Sequence, residues 1–462
     1  MWHKLTIFSI NNSNWISSWI TRFCNSSDLA KCGFYKRSGA SVSGLLRVLL
    51  ALPLTGLNLY EFKKKELPVP ARDAFYRLLQ HPGYHWRRLL YTISQKLITY
   101  FDTLTDQQHP RVLIIDDSSY KRNRSKAVEY LGQQRDHNQN QYYRGFRMLT
   151  LAWSDGHSCL PCEFELLTNS CPDKRLGPAP QLDGRSVMGR RVKVATQKAT
   201  DVAVAMVGRA LSYIKAADYV VFDSWFAFPT VIKKVADKIP VICPVKNISA
   251  IKFRHNKRIY NLMGLYKHLP STFKRQQTDD DDADIIGWMN VELLSAGSVR
   301  VVFIKNPNKP DSPMVLISTD TSLSAKQICR IYAQRWDIEV CFKALKQHLG
   351  LYHMQMRSYA GLVGCTSIAF IRCMMISYYH RTQIDERTFP GVFYQCIMQL
   401  QLAAIESCIK LLQIKIIAHV LQNPNRPILA LVADISETID HFVSMISADL
   451  TIGESSVAKC ES

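Results

Sequence analysis

Acidic residues are scarce in this chain. Over 462 residues, 38 Asp and Glu stand against 58 Lys and Arg, a formal net charge of +20. That deficit points to a polyanionic partner. It is steepest at the start, where residues 1–100 hold 14 basic against 4 acidic side chains. No apolar run is expected to span a bilayer either. Arg47 and Pro53 interrupt residues 44–57, and Arg372 interrupts the run after Gly361, so both are expected to be buried core helices and no membrane partner is expected. No basic segment followed by an apolar run and a cleavage site opens the chain, so no signal peptide is expected. No tandem repeat is present. The 13 cysteines are scattered and odd in number, which speaks against a disulfide framework and predicts reduced thiols in a cytoplasmic protein. Cys159, Cys162 and Cys171 lack a fourth ligand for a structural zinc.

What is present is a globular composition, 47% hydrophobic and 21% charged, enough to bury a large core. Residues 1–105 carry apolar residues at helical spacing with basic residues between, as in 41–52, 73–80 and 85–104. They predict a helical N-terminal domain, either DNA-binding or a helical cap with a charged surface. The texture changes at Pro110, where RVLIIDD reads as a buried strand ending at Asp116 and Asp117. A basic polar loop follows, then a hairpin turning at Asp155-Gly156. A helix is predicted over 198–214, then a second buried strand, DYVVFD, ending at Asp223, and a third, IPVICPVKN. Residues 246–323 hold short strand candidates around an acidic loop, TDDDDAD at 278–284, which reads as a solvated tip. Ser322 or Ser324 can cap the helix expected to follow. From about 361 to 450 the chain reads as helical again.

The segment YAQRWDIEVCFKALK, residues 332–346, places Tyr332, Arg335, Glu339 and Lys346 at one helix face, within about a 60° arc if the helix is continuous. Ile331, Ile338, Phe342, Leu345 and Leu349 form the adjoining apolar stripe. Alone, this describes an ordinary solvated face with an Arg335–Glu339 pair. The two strand-end aspartates change its weight. Adjacent strand ends bring carboxylates to one rim of an open sheet, and a helix glutamate can complete a cluster of three. Such a cluster needs a hard cation, Mg²⁺ or Mn²⁺, and two such ions suit in-line displacement at phosphorus.

The order strand–Asp, strand–Asp, β-rich insertion, helix–Glu resembles that of DDE transposases with a ribonuclease-H-like catalytic core. Tyr332-x2-Arg335-x3-Glu339-x6-Lys346 matches the YREK signature of a large group of bacterial insertion-sequence transposases, and DSWF after the second strand adds to the likeness. The resemblance covers about residues 110–360 and, loosely, the helical N-terminus. It implies an α/β fold with a ribonuclease-H-like mixed sheet flanked by helices. The units would be a DNA-binding domain at 1–105, the core at 106–245 and 324–385, a β-rich insertion at 246–323, and a helical, dimerising region at 386–462. It implies a metal triad of Asp116, Asp223 and Glu339 holding two Mg²⁺ or Mn²⁺ ions. Asp117 is the alternative to Asp116, since each has a serine two residues on. Tyr332, Arg335 and Lys346 would grip phosphates, and Trp336 would hold an unstacked base or pack beside the core; Trp288 is another platform. His157 and His348 are expected to be structural. The implied activity is cleavage of double-stranded DNA at element ends and joining to target DNA by a homodimer. A nuclease without strand transfer and a non-catalytic DNA-binding descendant are the alternatives; a glycosidase reading of the carboxylates fails on the basic charge and the motif spacing.

Overall fold

The computed structural model describes residues 14–55, 59, 70–136, 139–269, 284–306, 312–352, 355–383, 388–422, 427, 430 and 432–440, except the side chains at 14, 403–408, 410, 411 and 415. The four consecutive aspartates of the 278–284 loop lie outside these residues.

The described part of the N-terminal region is helical, as its periodicity predicts. Helices α1 (Asn14–Phe23), α2 (Ser26–Lys31), α3 (Val42–Ala51), α4 (Arg72–Gln80) and α5 (Trp86–Asp102) occupy it. Asn25 and Ser41 cap α2 and α3 by accepting from the backbone N–H groups of Asp28 and Gly44. These helices share one hydrophobic core with the rest of the chain, continuous from Ile16 to Leu400.

The remainder builds one large mixed sheet with helices on both faces, consistent with a ribonuclease-H-like domain. Strand β1 (Val112–Lys121) runs antiparallel to β3 (Gln141–Ser154), which pairs with β2 (Gly132–Asp136) and β4 (Cys159–Leu167) along its other edge. Helices α6 (Val187–Val194) and α7 (Ala199–Tyr213) lead to β5 (Tyr219–Phe222), parallel to β1. Helix α8 (Pro229–Ala236) then leads to β6 (Val241–Pro244), parallel to β5. β1 continues past the expected strand end at Asp117. Ser118 and Tyr120 alternate inward and pair with Met148 and Phe146 of β3, so four further residues of the basic segment are strand.

The strands of residues 246–323 extend this sheet instead of forming a second one. β7 (Phe253–His255), β8 (Arg258–Tyr260), β9 (Ile285–Leu293), β10 (Gly297–Ile304) and β11 (Met314–Ser318) join it through β11, which lies antiparallel to β6. Helix α9 (Leu262–Lys267) sits among them, and α10 (Ala325–Ala333), α11 (Trp336–Gln347), α12 (Tyr359–Thr382) and α13 (Phe389–Gln422) follow.

Strand alternation decides what each face meets. Phe164 of β4 packs its ring 4.9 Å from Phe370 of α12. Glu163 and Glu165, one residue to either side, point to the opposite face and are fully buried. Arg87 of α5 and Arg209 of α7 pair with Glu163 at 2.7 and 2.8 Å. Arg191 of α6 pairs with Glu165 at 2.9 Å, Arg87 also reaches Glu165, and the Tyr91 hydroxyl donates to Glu163. Three helices are thereby tied to one strand by charge. Burial depresses the Arg87 guanidinium to about 10 against the pull of Glu163.

Helix α12 is apolar and long enough to cross a bilayer by length and composition, yet its apolar window is entirely buried in this fold. Its Arg372 is 3% exposed and donates to the carbonyls of Leu49 and Leu349 at 3.1 and 2.7 Å. Those carbonyls lie in the last turn of α3 and just past α11, where helix dipoles favour a cation. Gly364 brings α12 against α4, since a Cβ there would lie 2.4 Å from the Leu79 carbonyl oxygen. Gly364→Ala is therefore expected to cost about 1–3 kcal/mol by overpacking, read as a lowered thermal midpoint. An unchanged midpoint would show that the two helices part without cost.

Candidate active site

β1 brings Asp116 to the sheet rim on a strand whose first four residues are buried apolar side chains. Pairing puts Asp116 opposite Thr150, and Thr150 opposite Phe164, so all three share the face covered by α11 and α12. Asp117 is opposite Leu149, itself opposite Glu165, and so belongs to the other face. There Arg147 of β3 grips Asp117 with two hydrogen bonds, 2.6 and 2.7 Å long. The Arg147 guanidinium also stacks over Trp225 at 4.5 Å, and Lys246 lies 5.2 Å from the same ring.

Asp223 directly follows β5. Ile115 pairs with Phe222, so Asp116 and Asp223 are the next residues on adjacent parallel strands. Asp223 accepts the N–H of Ser224 at 2.6 Å, fixing its direction. Burial first, then the charge of Asp117, push the Asp116 carboxyl up to about 7; Asp223 adds to the rise, while the Asp117 N–H and Arg335 oppose it.

Residues 332–346 are not one continuous helix. Ser324 caps α10, with Gln327 completing a capping box, and α10 ends at Ala333. Arg335 N–H donates to Tyr332 and Asp337 N–H to Gln334, three-residue bonds of 2.9 and 3.0 Å that tighten the chain between α10 and α11. Tightening adds rotation per residue, so the four motif residues do not form a single stripe. The Ser154 hydroxyl, bonded to Asp337 at 2.5 Å, ties the start of α11 to the end of β3. Ile338, Phe342 and Leu345 are buried as the apolar stripe requires.

This geometry brings five of the predicted residues together. Arg335 donates to Asp116 at 3.2 Å and to Glu339 at 2.7 Å, bridging the two carboxylates. Its guanidinium lies 5.9 Å from the Tyr332 ring centre. Burial works against the Arg335 charge, but Tyr332, Glu339 and Asp116 outweigh it and raise its pKa. Burial raises the Tyr332 hydroxyl to about 12, with Asp223 adding to the rise and Arg335 opposing it. Lys346 is apart, two turns along α11, where its charged neighbours are Lys121 and Asp136. Trp336 is not packed beside the core: it opens α11 and is 61% exposed. Trp288 carries the Arg300 guanidinium 4.1 Å from its ring centre. His157 lies beside His109 and His348 beside Phe393, both in ring contacts.

The donor chemistry of Asp116, Asp223 and Glu339 fits a hard divalent ion, being all carboxylate oxygen with Asp116 buried among like charges. As the side chains stand, among the described residues no three acidic, His or Cys groups already form a cage. Arg335 holds Asp116 and Glu339 instead. Arg147 escaped the sequence reading. The available signal was strand alternation: Arg147 pairs with Ser119, and therefore shares the face of Asp117.

A family model described as DDE superfamily endonuclease matches residues 67–258. The match includes Asp116, Asp117 and Asp223 and ends before the 332–346 segment. It supports a DDE transposase-like or nuclease protein. None of the curated proteins compared with the chain matches it.

Proposed function

We propose that this chain is an insertion-sequence transposase of the YREK group, cleaving double-stranded DNA at element ends and joining the 3′-hydroxyls to target DNA. The observation that carries this reading is Arg335 linking Asp116 on β1 to Glu339 on α11, with Asp223 on the adjacent strand end. Arg335 thus links two of the three acids, and the third follows the strand paired with β1, in a mixed sheet consistent with the family match. Asp116, Asp223 and Glu339 would hold two Mg²⁺ or Mn²⁺ ions. When bound, these would activate a water or 3′-hydroxyl and neutralise charge at the leaving oxygen. Arg335 presents planar paired donors, which suit phosphate oxygens as they suit two carboxylates. Tyr332 keeps its proton at neutral pH, since burial raises its pKa, and so serves as a donor. Trp336, exposed at the start of α11, offers a stacking face for a base drawn out of the duplex.

The active unit is a homodimer on paired ends. Helix α13 supports this by exposing Met398, Leu402, Ile414, Ile417 and Leu421.

The test uses the purified chain, Mg²⁺ and a linear duplex carrying the ends that flank its own gene. Wild type should nick at the ends and give joined products. Glu339→Gln should bind the same DNA yet cut it roughly a thousandfold more slowly, as loss of several kcal/mol of transition-state stabilisation implies. Hydrolysed ends without joining would assign a nuclease, and binding without cleavage a non-catalytic descendant. Equal cutting by both proteins would overturn the triad.

A further inference from the structure

Beyond the carboxylate cluster, a cleft of about 730 Å³ opens between residues 121–128 on one side and Tyr352, Gln355, Met356 and Arg357 on the other. We infer that this cleft is the track for the duplex leading away from the scissile phosphate, an inference that rests on the proposed DNA cleavage. Lys121, Arg122, Arg124, Lys126 and Arg357 line it, and among the described residues no carboxylate does. Asp136 lies beside it but is engaged by Lys121 at 3.3 Å, and Glu129 accepts the N–H of Tyr359 at 2.8 Å. Arg124, Lys126 and Arg357 are exposed. A polyanion is the ligand this lining selects.

Both walls grow from the elements that carry the acids. One wall continues β1 beyond Asp116, and the other follows α11 beyond Glu339. Asp116 to Lys121 spans about 16 Å at 3.3 Å per strand residue. Glu339 to Lys346 spans about 10 Å at 1.5 Å per helical residue. Arg122, next after Lys121, donates to the carbonyl of Tyr352, which lies five residues past the end of α11, so the two routes end side by side. At 3.4 Å of helix axis per base pair, the cleft would meet phosphates about three to five base pairs from the cut. This continuity favours a duplex over an acidic polypeptide, which would have no reason to follow the carboxylate rim.

The cleft is also built to keep its shape. Arg122 donates to the Tyr120 hydroxyl at 2.9 Å and to the Tyr352 carbonyl at 3.2 Å, joining the walls across its floor. The Tyr352 hydroxyl donates back to the Ser119 carbonyl at 2.6 Å. Arg122 is thus structural, while Arg124, Lys126 and Arg357 are placed to meet the ligand.

The test compares wild type with Arg124→Ala/Lys126→Ala/Arg357→Ala, measuring affinity for the element-end duplex against salt, without divalent metal. The triple variant should keep its thermal midpoint and lose about 2–3 from the slope of log affinity on log salt. Arg124→Lys/Lys126→Arg/Arg357→Lys should restore the slope. Neutral methylphosphonates placed three to five base pairs from the mapped cut should weaken wild type and leave the triple variant unaffected. If wild type binds and cuts but the variant's slope is unchanged, the cleft inference falls alone. Sensitivity to methylphosphonates only at other positions would overturn it equally. If wild type does not bind duplex at all, the functional reading falls and the cleft with it.

Discussion

Asp116→Asn is expected to slow end cleavage roughly a thousandfold, the effect of losing several kcal/mol at the reacting phosphate. Asp117→Asn should leave the cleavage rate within about tenfold of wild type. The two acids are neighbours, yet their surroundings separate their roles. Asp116 faces α11, where Arg335 joins it to Glu339, and it follows Ile115, whose strand partner Phe222 precedes Asp223. Asp117 faces the other side of the sheet and is gripped by Arg147 through both its oxygens. Its loss removes a charge-assisted pair in a half-buried setting, which is expected to cost about 1–3 kcal/mol of stability. Asp116→Asn should cost less, because it removes one of several crowded like charges. Single-turnover cleavage and urea unfolding on both variants separate the cases. A slow but destabilised Asp117→Asn beside an active Asp116→Asn would transfer the metal-holding role to Asp117.

Glu163→Ala should have the largest effect on folding, a loss of about 3–5 kcal/mol in urea unfolding. Glu163 has no exposed surface and is the partner of Arg87, Arg209 and Tyr91. Removing it takes the carboxylate partner from Arg209 and leaves Arg87 with Glu165 alone, while burial already presses on the Arg87 charge. Glu163→Gln keeps the shape and an acceptor and should lose less. The predicted ordering is wild type, then Gln, then Ala. Equal midpoints in all three would show that the Glu163 ion pairs add nothing to the packing of α5 and α7 on β4.

Much of this architecture was legible in residue order. The run of four apolar residues before Asp116, the turn at Asp155-Gly156 and the spacing of 198–214 anticipated β1, the β3–β4 hairpin and α7. The strand candidates in 246–323 emerged as β9, β10 and β11. Local pattern suffices here because backbone period and burial are set within a few residues. It failed at 332–346, where side-chain spacing alone describes a single helix. Three-residue backbone bonds at Arg335 and Asp337 instead divide it into two. It failed also at the end of β1, because Ser118 to Lys121 are polar residues made strand by pairing with β3.

The sequence by itself determined the basic charge, the placing of Asp116, Asp117 and Asp223 directly after buried apolar strand runs, and the set Tyr332, Arg335, Glu339 and Lys346. Alternation along β1 already required Asp116 and Asp117 to oppose one another. Only the tertiary structure decided which of them meets Arg335, because that depends on which face of the sheet α11 covers. It likewise set Lys346 apart from the acids, with Lys121 and Asp136 as its charged neighbours, and gathered Glu163, Glu165 and their arginines from four elements. Charges paired across such distances leave no local period to read, since their partners are chosen by packing alone.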